Sequence, residues 1–393
     1  ILKIRSKGDN DLKDLTKEFD GFDSDVFKIS SKEINQIVKS CDKDIFKSLE
    51  YSFEKILNYQ SRCFASLNLE DTDNEITRKF RVIESVGIYV PGGKASYPST
   101  VLMGAAPAIA CGVSDISITS PAQNGILNTL TIAAAKVAGI ETIYRIGGAQ
   151  AIAALAIGTD QISKVDKIIG PGNIFVAEAK KQLFGEVGID SIAGPSEILI
   201  LADSSSNPET IAWDLMAQSE HDSDASGVLI SDSEEIIANV KKIISTEIDS
   251  LERCSIIKES IRSNGLIIKI DNFSEAKQLV NKIAPEHLHI AFDHMNYQDE
   301  SLLIAGLILK GENSANSFSD YILGPSHILP TNSSSRFSSP LSVEDFLVSY
   351  SYISLDREKN TKKFNEYIEH TSRIAKAEGL TAHAIAAEKR FKN

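Results

Sequence analysis

The chain is predicted to be an α/β protein built on parallel sheet covered by helices, and three observations carry that prediction. Short apolar runs alternate with longer helical runs from Val86 to Ile230. Glycine-rich turns join the ends of several short runs to the next helix: Pro91-Gly92-Gly93-Lys94, Gly147-Gly148 and Gly170-Pro171-Gly172-Asn173. A length of 393 residues, with 42% hydrophobic and 24% charged side chains, suits an ordinary globular chain of two or more domains.

Residues 1 to about 80 place Leu12, Leu15, Phe19 and then Ile45, Leu49, Phe53, Ile56 at helical spacing, which predicts helices packed on the core. Gly8-Asp9 and Phe19-Asp20-Gly21 read as turns. Strand candidates follow at 86–90, 116–119, 142–146 and 165–169, and helices at 99–110, 127–138, 149–157 and 174–184. Ligands are expected beyond the carboxyl ends of such strands. Tyr89, Gln150 and Asn173 stand at three of these turns. No G-x-G-x-x-G is present, so the usual pyrophosphate fingerprint cannot be claimed.

Ile198-Leu199-Ile200-Leu201 reads as a buried strand, and Asn207-Pro208-Glu209 as a cap with proline in the first turn of a helix that runs to Gln218. Gln218 and His221 then stand three residues apart, close enough to share a small ligand or a metal; a solvated polar helix end is the alternative. Strands at 227–230 and 265–270 and helices at 233–248 and 273–283 lead to Pro285-Glu286-His287. Neighbours in a regular strand face opposite ways, so Glu286 and His287 serve one site only if the backbone bends there. Residues 313–331, with Asp320 and His327, read as an ordered loop. From Glu344 onward the pattern reads as helical, with Gly379 separating two helices and His383 in the last of them. Ser196 lies in a tight turn, and His289, His294 and His370 read as ordinary surface or packed histidines.

The net charge of −13 argues against a nucleic-acid partner or an anionic membrane. Cys41, Cys63, Cys111 and Cys254 are scattered without a CxxC, which fits a reducing cytosol. The most apolar window, 101–113, is too short to span a membrane, and the start has no signal-peptide core, although the first residue, Ile1, leaves a truncated or processed start open. Gln218, His221, Asp320 and His383 are the donors outside ordinary surface contexts. An amide, two imidazoles and a carboxylate suit a zinc site with room for substrate.

Nine stretches in order give the chain a resemblance to the histidinol dehydrogenases over essentially its whole length: Tyr89-Val90-Pro91-Gly92-Gly93, 147–155, Gly170-Pro171-Gly172-Asn173, Ala193-Gly194-Pro195-Ser196-Glu197, Ala217-Gln218-Ser219-Glu220-His221, Pro285-Glu286-His287, Ser319-Asp320-Tyr321, 326–331 and 378–383. The resemblance implies an NAD- and zinc-dependent enzyme of the last two steps of histidine biosynthesis, oxidising L-histidinol through L-histidinaldehyde to L-histidine. It implies Glu286 and His287 as the acid/base pair, and Gln218, His221, Asp320 and His383 as zinc ligands. Ser196, Gln218, His221, His287, Asp320, His327, Glu378 and His383 would surround the substrate, and Tyr89, Gln150 and Asn173 the NAD. It also implies a cytoplasmic homodimer whose C-terminal region completes the partner's site. The fold would be two incomplete Rossmann-like domains, one inserted in the other: 1–88 with 198–341, the insert 89–197, and a helical dimerisation region at 342–393. Ser191 and Ser326 depart from the Met and Asn usual in the family. The competing readings are a zinc hydrolase using Glu286 as base to a metal-bound water and a non-catalytic nucleotide-binding protein.

Overall fold

The computed structural model describes residues 1–73, 75–92, 97–293, 302–356 and 361–390. Gly93 and Lys94 of the first glycine turn, and His294, lie outside them. The chain forms two compact units, 1–67 with 82–347 and 68–81 with 348–393.

In the larger unit, α1 (Leu2–Lys7), α2 (Asp9–Asp20), α3 (Ser31–Val38) and α4 (Lys43–Ser66) come first. Ser30 and Asp42 cap α3 and α4 by accepting backbone N–H groups, and Leu49, Ser52, Ile56 and Gln60 form the buried stripe of α4. The helical expectation to about residue 80 fails beyond Ser66. β1 (Glu70–Asp73) and β2 (Ile76–Val82) form an antiparallel pair there, where the segment alternates in a period of two.

The first parallel sheet contains β3 (Ser85–Tyr89), β4 (Asp115–Ser120), β5 (Thr142–Arg145), β6 (Lys167–Ile169) and β7 (Gly188–Ile189), in the order β5-β4-β3-β6-β7. Its crossovers are α5 (Pro98–Cys111), α6 (Thr129–Val137), α7 (Gly148–Ile157) and α8 (Ile174–Leu183). The second sheet contains β8 (Glu197–Ala202), β9 (Ser226–Ser231), β10 (Leu266–Lys269), β11 (His287–Ile290) and β12 (Leu307–Lys310), in the order β10-β9-β8-β11-β12, again parallel. α9 (Pro208–Ser219), α10 (Glu234–Glu247), α11 (Cys254–Asn264) and α12 (Phe273–Ile283) connect its strands. Both sheets start in the middle, run one way for three strands and then reverse, so each has a switch point beside its first strand. The continuous apolar runs anticipated these strands because parallel strands are buried on both faces. Helix α11 and strands β7 and β12, by contrast, were not anticipated.

The nesting differs from the expected one. Ile29, Ile34, Leu49 and Ile56 of the N-terminal segment, and Ile328, Leu341, Val343 and Phe346 from after the second sheet, share one apolar core with Ile88, Val101 and Ile118 of the first. The first sheet is therefore the host and 197–310 the insert. The expected boundary at 88 and 89 falls inside β3, because the apolar contacts of the N-terminal helices lie with the first sheet.

The expected loop at 313–331 contains a short helix, α13 (Asn316–Tyr321). In the smaller unit, β13 (Leu347–Ile353) joins β1 and β2 as the third strand, followed by α14 (Thr361–Ala377) and α15 (Thr381–Glu388). The helical reading of 342–393 therefore misses β13, whose Val, Tyr and Ile favour a pleated strand. Gly379 does separate the last two helices, at φ 77°. Lys376 and Ser372 of α14 both bond Glu388 of α15.

Candidate active site

At the switch point of the second sheet, β8 lies beside β11 with His287 paired to Ile198, so Glu286 comes to rest next to Glu197. Helix α12 ends at Ile283, Ala284 takes a left-handed conformation (φ 48°) and Pro285 admits no further helix, so β11 starts only at His287. Glu286 thus precedes the strand instead of alternating within it. Its Oε2 lies 3.5 Å from His287 Nδ1, and both side chains are buried. The bend that sequence could only require is present. Gly306 sits against it: a Cβ there would meet the Glu286 carbonyl oxygen at 2.7 Å.

Glu197 holds this bend from four directions. Its N–H donates to Glu286 Oε2 (2.8 Å), its Oε2 accepts from the Glu286 N–H (3.4 Å), and its Oε1 accepts from the Asn332 N–H (3.2 Å). Its carbonyl oxygen lies 3.1 Å from His287 Nδ1. A carbonyl only accepts, so Nδ1 carries the proton of that bond and the neutral ring keeps its lone pair on Nε2. Nε2 is buried, has no hydrogen-bond partner and stands 3.6 Å from Asp320 Oδ1, beyond hydrogen-bond length. Burial alone would push this imidazole down, but the Glu286 and Asp320 carboxylates reverse that and hold it up at about 10. Asp320 is lowered: burial opposes its charge, and the facing His287 outweighs burial. Burial, followed by the neighbouring Glu286 charge, leaves Glu197 raised even against its N–H bond from Asn332.

Gln218, at the end of α9, is almost wholly buried, and His221 is exposed just beyond it. Asn316 of α13 ties Gln218 to Asp320: its Nδ2 donates to Gln218 Oε1 (3.2 Å) and to Asp320 Oδ2 (3.3 Å). Two potential ligand oxygens therefore lie side by side on one donor. His221 is within electrostatic reach of Asp320 and of His327. His327 Nδ1–H donates to the Asp320 carbonyl (3.0 Å), leaving Nε2 to face the Thr100 hydroxyl at 3.4 Å, and burial holds this imidazole below its usual range. Among the described residues, no three His, Cys, Asp or Glu side chains cluster as a metal site. The convergent set here is instead an amide oxygen and a carboxylate, both turned toward the Asn316 Nδ2, with an imidazole at the rim, donors of the kind zinc accepts. That donor set fits the expected cation, with room for further ligands.

Tyr89, Gln150 and Asn173 form a separate group at the carboxyl edge of the first sheet. The Tyr89 hydroxyl accepts from the Gly148 N–H (3.1 Å) at the start of α7, and burial pushes the phenol up to about 12. Gln150 is buried in the first turn of the same helix, and Asn173 caps α8 by accepting from Phe175 and Val176. Gly170, at φ 106°, passes so close to Tyr89 that a Cβ would fall on the Tyr89 carbonyl oxygen. The turn is locked by a buried ion pair: Lys180 Nζ bonds Asp190 and the Gly170 carbonyl (2.6 Å each), and Asp190 accepts from the Gly170 N–H (2.7 Å).

Ser196 directly precedes β8, and its carbonyl accepts from Ser226. Glu378 and His383 belong to the smaller unit, where both are exposed. His289 proves to be a fully buried histidine, held by Asp214 (3.0 Å) and the Gly311 carbonyl (3.0 Å). Asn316, Glu197 and the Lys180–Asp190 pair were missed by reading residues alone. Two left a signal: Asn316 stands four residues before Asp320, and Lys180 interrupts the buried stripe of Val176, Ala179 and Leu183.

A family model described as histidinol dehydrogenase matches residues 1–391. Histidinol dehydrogenase of Clostridium acetobutylicum is 43% identical over 399 residues, covering 100% of this chain and 91% of that protein. That of Oceanobacillus iheyensis is 43% identical over 396 residues, covering 100% and 92%. The crystal structure of histidinol dehydrogenase from Elizabethkingia anophelis superposes with a TM-score of 0.91 at 31% identity, covering 99% of this chain and 90% of that one.

Proposed function

The chain belongs to the histidinol dehydrogenase family, and on that premise we propose that it oxidises L-histidinol by four electrons, through L-histidinaldehyde to L-histidine, as a zinc- and NAD-dependent cytoplasmic homodimer. The observation that carries this reading is the convergence of Glu286, His287 and Asp320 in one buried site where His287 Nε2 has no hydrogen-bond partner.

Gln218, His221 and Asp320, with His383 of a partner subunit, would hold zinc, and Tyr89, Gln150 and Asn173 would border NAD. When bound, zinc supplies chelation of the substrate's imidazole and amino nitrogens, and NAD supplies a hydride acceptor. The work of the chain's own residues follows from the site. His287 Nε2 takes the hydroxyl proton as hydride leaves the carbinol carbon, giving the aldehyde. The Glu286 and Asp320 carboxylates together raise its affinity for protons, so it serves as a base once a cation engages the Asp320 charge and weakens that hold. Glu286 then takes a proton from water as the oxygen adds to the aldehyde carbon, and a second hydride leaves the hydrated carbon to give the acid. Two hydrides leave for each acid formed, for which bound NAD would be the acceptor, one water is consumed, and the protons pass through His287 and Glu286 to solvent. His327, kept neutral, Ser196 and the partner's Glu378 would contact the substrate.

The dimer is supported by apolar side chains left exposed on the smaller unit, among them Tyr352 (54%), Ile353 (60%), Ile374 (60%) and Ile385 (51%). No helix among the described residues is long and apolar enough to cross a membrane.

Supplying L-histidinol and NAD to zinc-loaded protein should yield NADH, about two per histidine formed, and a chelator should stop it; metal-replete protein that makes no NADH ends the proposal. The shared site has its own test. His287→Ala and His383→Ala should each be inactive alone, yet regain up to about a quarter of wild-type activity when co-assembled in equal amounts, since about half of the dimers are then mixed and only one of the two sites in each escapes both substitutions. Verified mixed dimers without any rescue would rule out sites built across the interface.

A further inference from the structure

We propose that Glu197 is the positioning residue that makes Glu286 and His287 converge, acting through its main chain on both side chains and through its carboxylate on the backbone between them. The proposal rests on the reading of that pair as the acid/base groups.

Glu197 stands where both members can be reached. It opens β8, and the parallel register with β11 sets residue 197 beside residue 286. Its N–H binds the Glu286 carboxylate and its carbonyl binds the His287 ring, so the first residue of one strand fixes the orientation of two side chains arriving on another. Those main-chain bonds need the two segments held in register ahead of the sheet ladder, where Ala284 is left-handed and Pro285 donates nothing. The Glu197 side chain supplies that hold. One oxygen accepts the Glu286 N–H, which lies before β11 begins, and the other accepts the N–H of Asn332, itself left-handed at φ 52°. Gly194 and Thr331 close the same seam, the Gly194 N–H donating to the Thr331 hydroxyl at 2.6 Å. A carboxylate is the side chain suited to this place: it offers an acceptor to each of two backbone donors and no donor of its own. A glutamine would satisfy one and turn an N–H toward the other.

A double-mutant cycle on the zinc-loaded enzyme tests this, using Glu197→Ala, Glu286→Gln and their combination, with kcat, both KM values, bound zinc and thermal midpoint measured for each. Expected is a fall in kcat of about 30-fold for Glu197→Ala, in line with losing a charged hydrogen-bond acceptor that orients the pair. Both KM values and the zinc content should stay within about twofold, while in the Glu286→Gln background the same change should cost less than about fivefold. Glu197→Gln should be intermediate, and it carries the same cycle if the alanine variant does not fold. Full additivity of the two changes, or a kcat for Glu197→Ala within about threefold of wild type, would overturn the positioning role while leaving the acid/base reading standing. Wild-type turnover by Glu286→Gln alone would instead bring down the acid/base reading, and this proposal with it.

Discussion

The two parallel sheets share one topology and use opposite edges of it. In the first, the switch point between β3 and β6 opens at the carboxyl ends, where Tyr89 and the Gly170–Asn173 turn meet, as expected for a doubly wound sheet. In the second, the equivalent switch between β8 and β11 carries its chemistry-bearing residues at the amino ends: Glu197 opens β8 and His287 opens β11. Gln218 and His221 reach the same edge because α9 runs back from the carboxyl end of β8 to the amino end of β9. At the carboxyl edge of the second sheet the loop after β8 bonds to itself, with Asp203 Oδ1 accepting from the Ser205 N–H and hydroxyl and from the Ser206 hydroxyl. A strand order specifies where crevices form, and loop chemistry decides which of them stays open to a ligand.

The sharpest way to break this comparison is His287→Ala. Acid/base catalysis contributes on the order of 100-fold to 10,000-fold, so turnover should fall by about 1,000-fold while NAD affinity, measured by titration, stays within about twofold. A matching loss of NAD affinity would mean that the two edges do not divide the work. The next effect concerns the other edge. Lys180 and Asp190 are 3% and 4% exposed, so Lys180→Met leaves a buried carboxylate unpaired and should cost roughly 3–5 kcal/mol in urea unfolding. It should also raise the KM for NAD by loosening Gly170; an unchanged midpoint would deny the ion pair its role. The smallest effect is one of pH. His287 binds its proton more tightly in the cation-free fold, at about 10, than in an unfolded chain, at about 6.5. The stability this contributes is complete below about pH 6.5 and is lost as pH rises through about 10. Thermal midpoints of zinc-free protein should therefore fall by several degrees over that window, on a slope that His287→Ala flattens; equal slopes in the two proteins would contradict the assignment.

Sequence by itself determined the α/β class, because buried parallel strands leave continuous apolar runs and glycine turns that can be read over a few residues. It also determined local stops and starts, such as the Asn207 cap of α9 and the end of α12 before Pro285. Family motifs marked Glu286, His287, Gln218 and Asp320 as site residues without showing that they meet. Only the tertiary structure decided which sheet is host and which is insert, that Glu286 and His287 lie at an amino edge, and that Glu197 and Asn316 bond to Glu286 and to Gln218 and Asp320. The reason is physical: periodicity and propensity act through neighbours in the chain, whereas the meeting of residues 197, 286 and 320 depends on strand pairing between segments about ninety residues apart and on how α13 packs against α9.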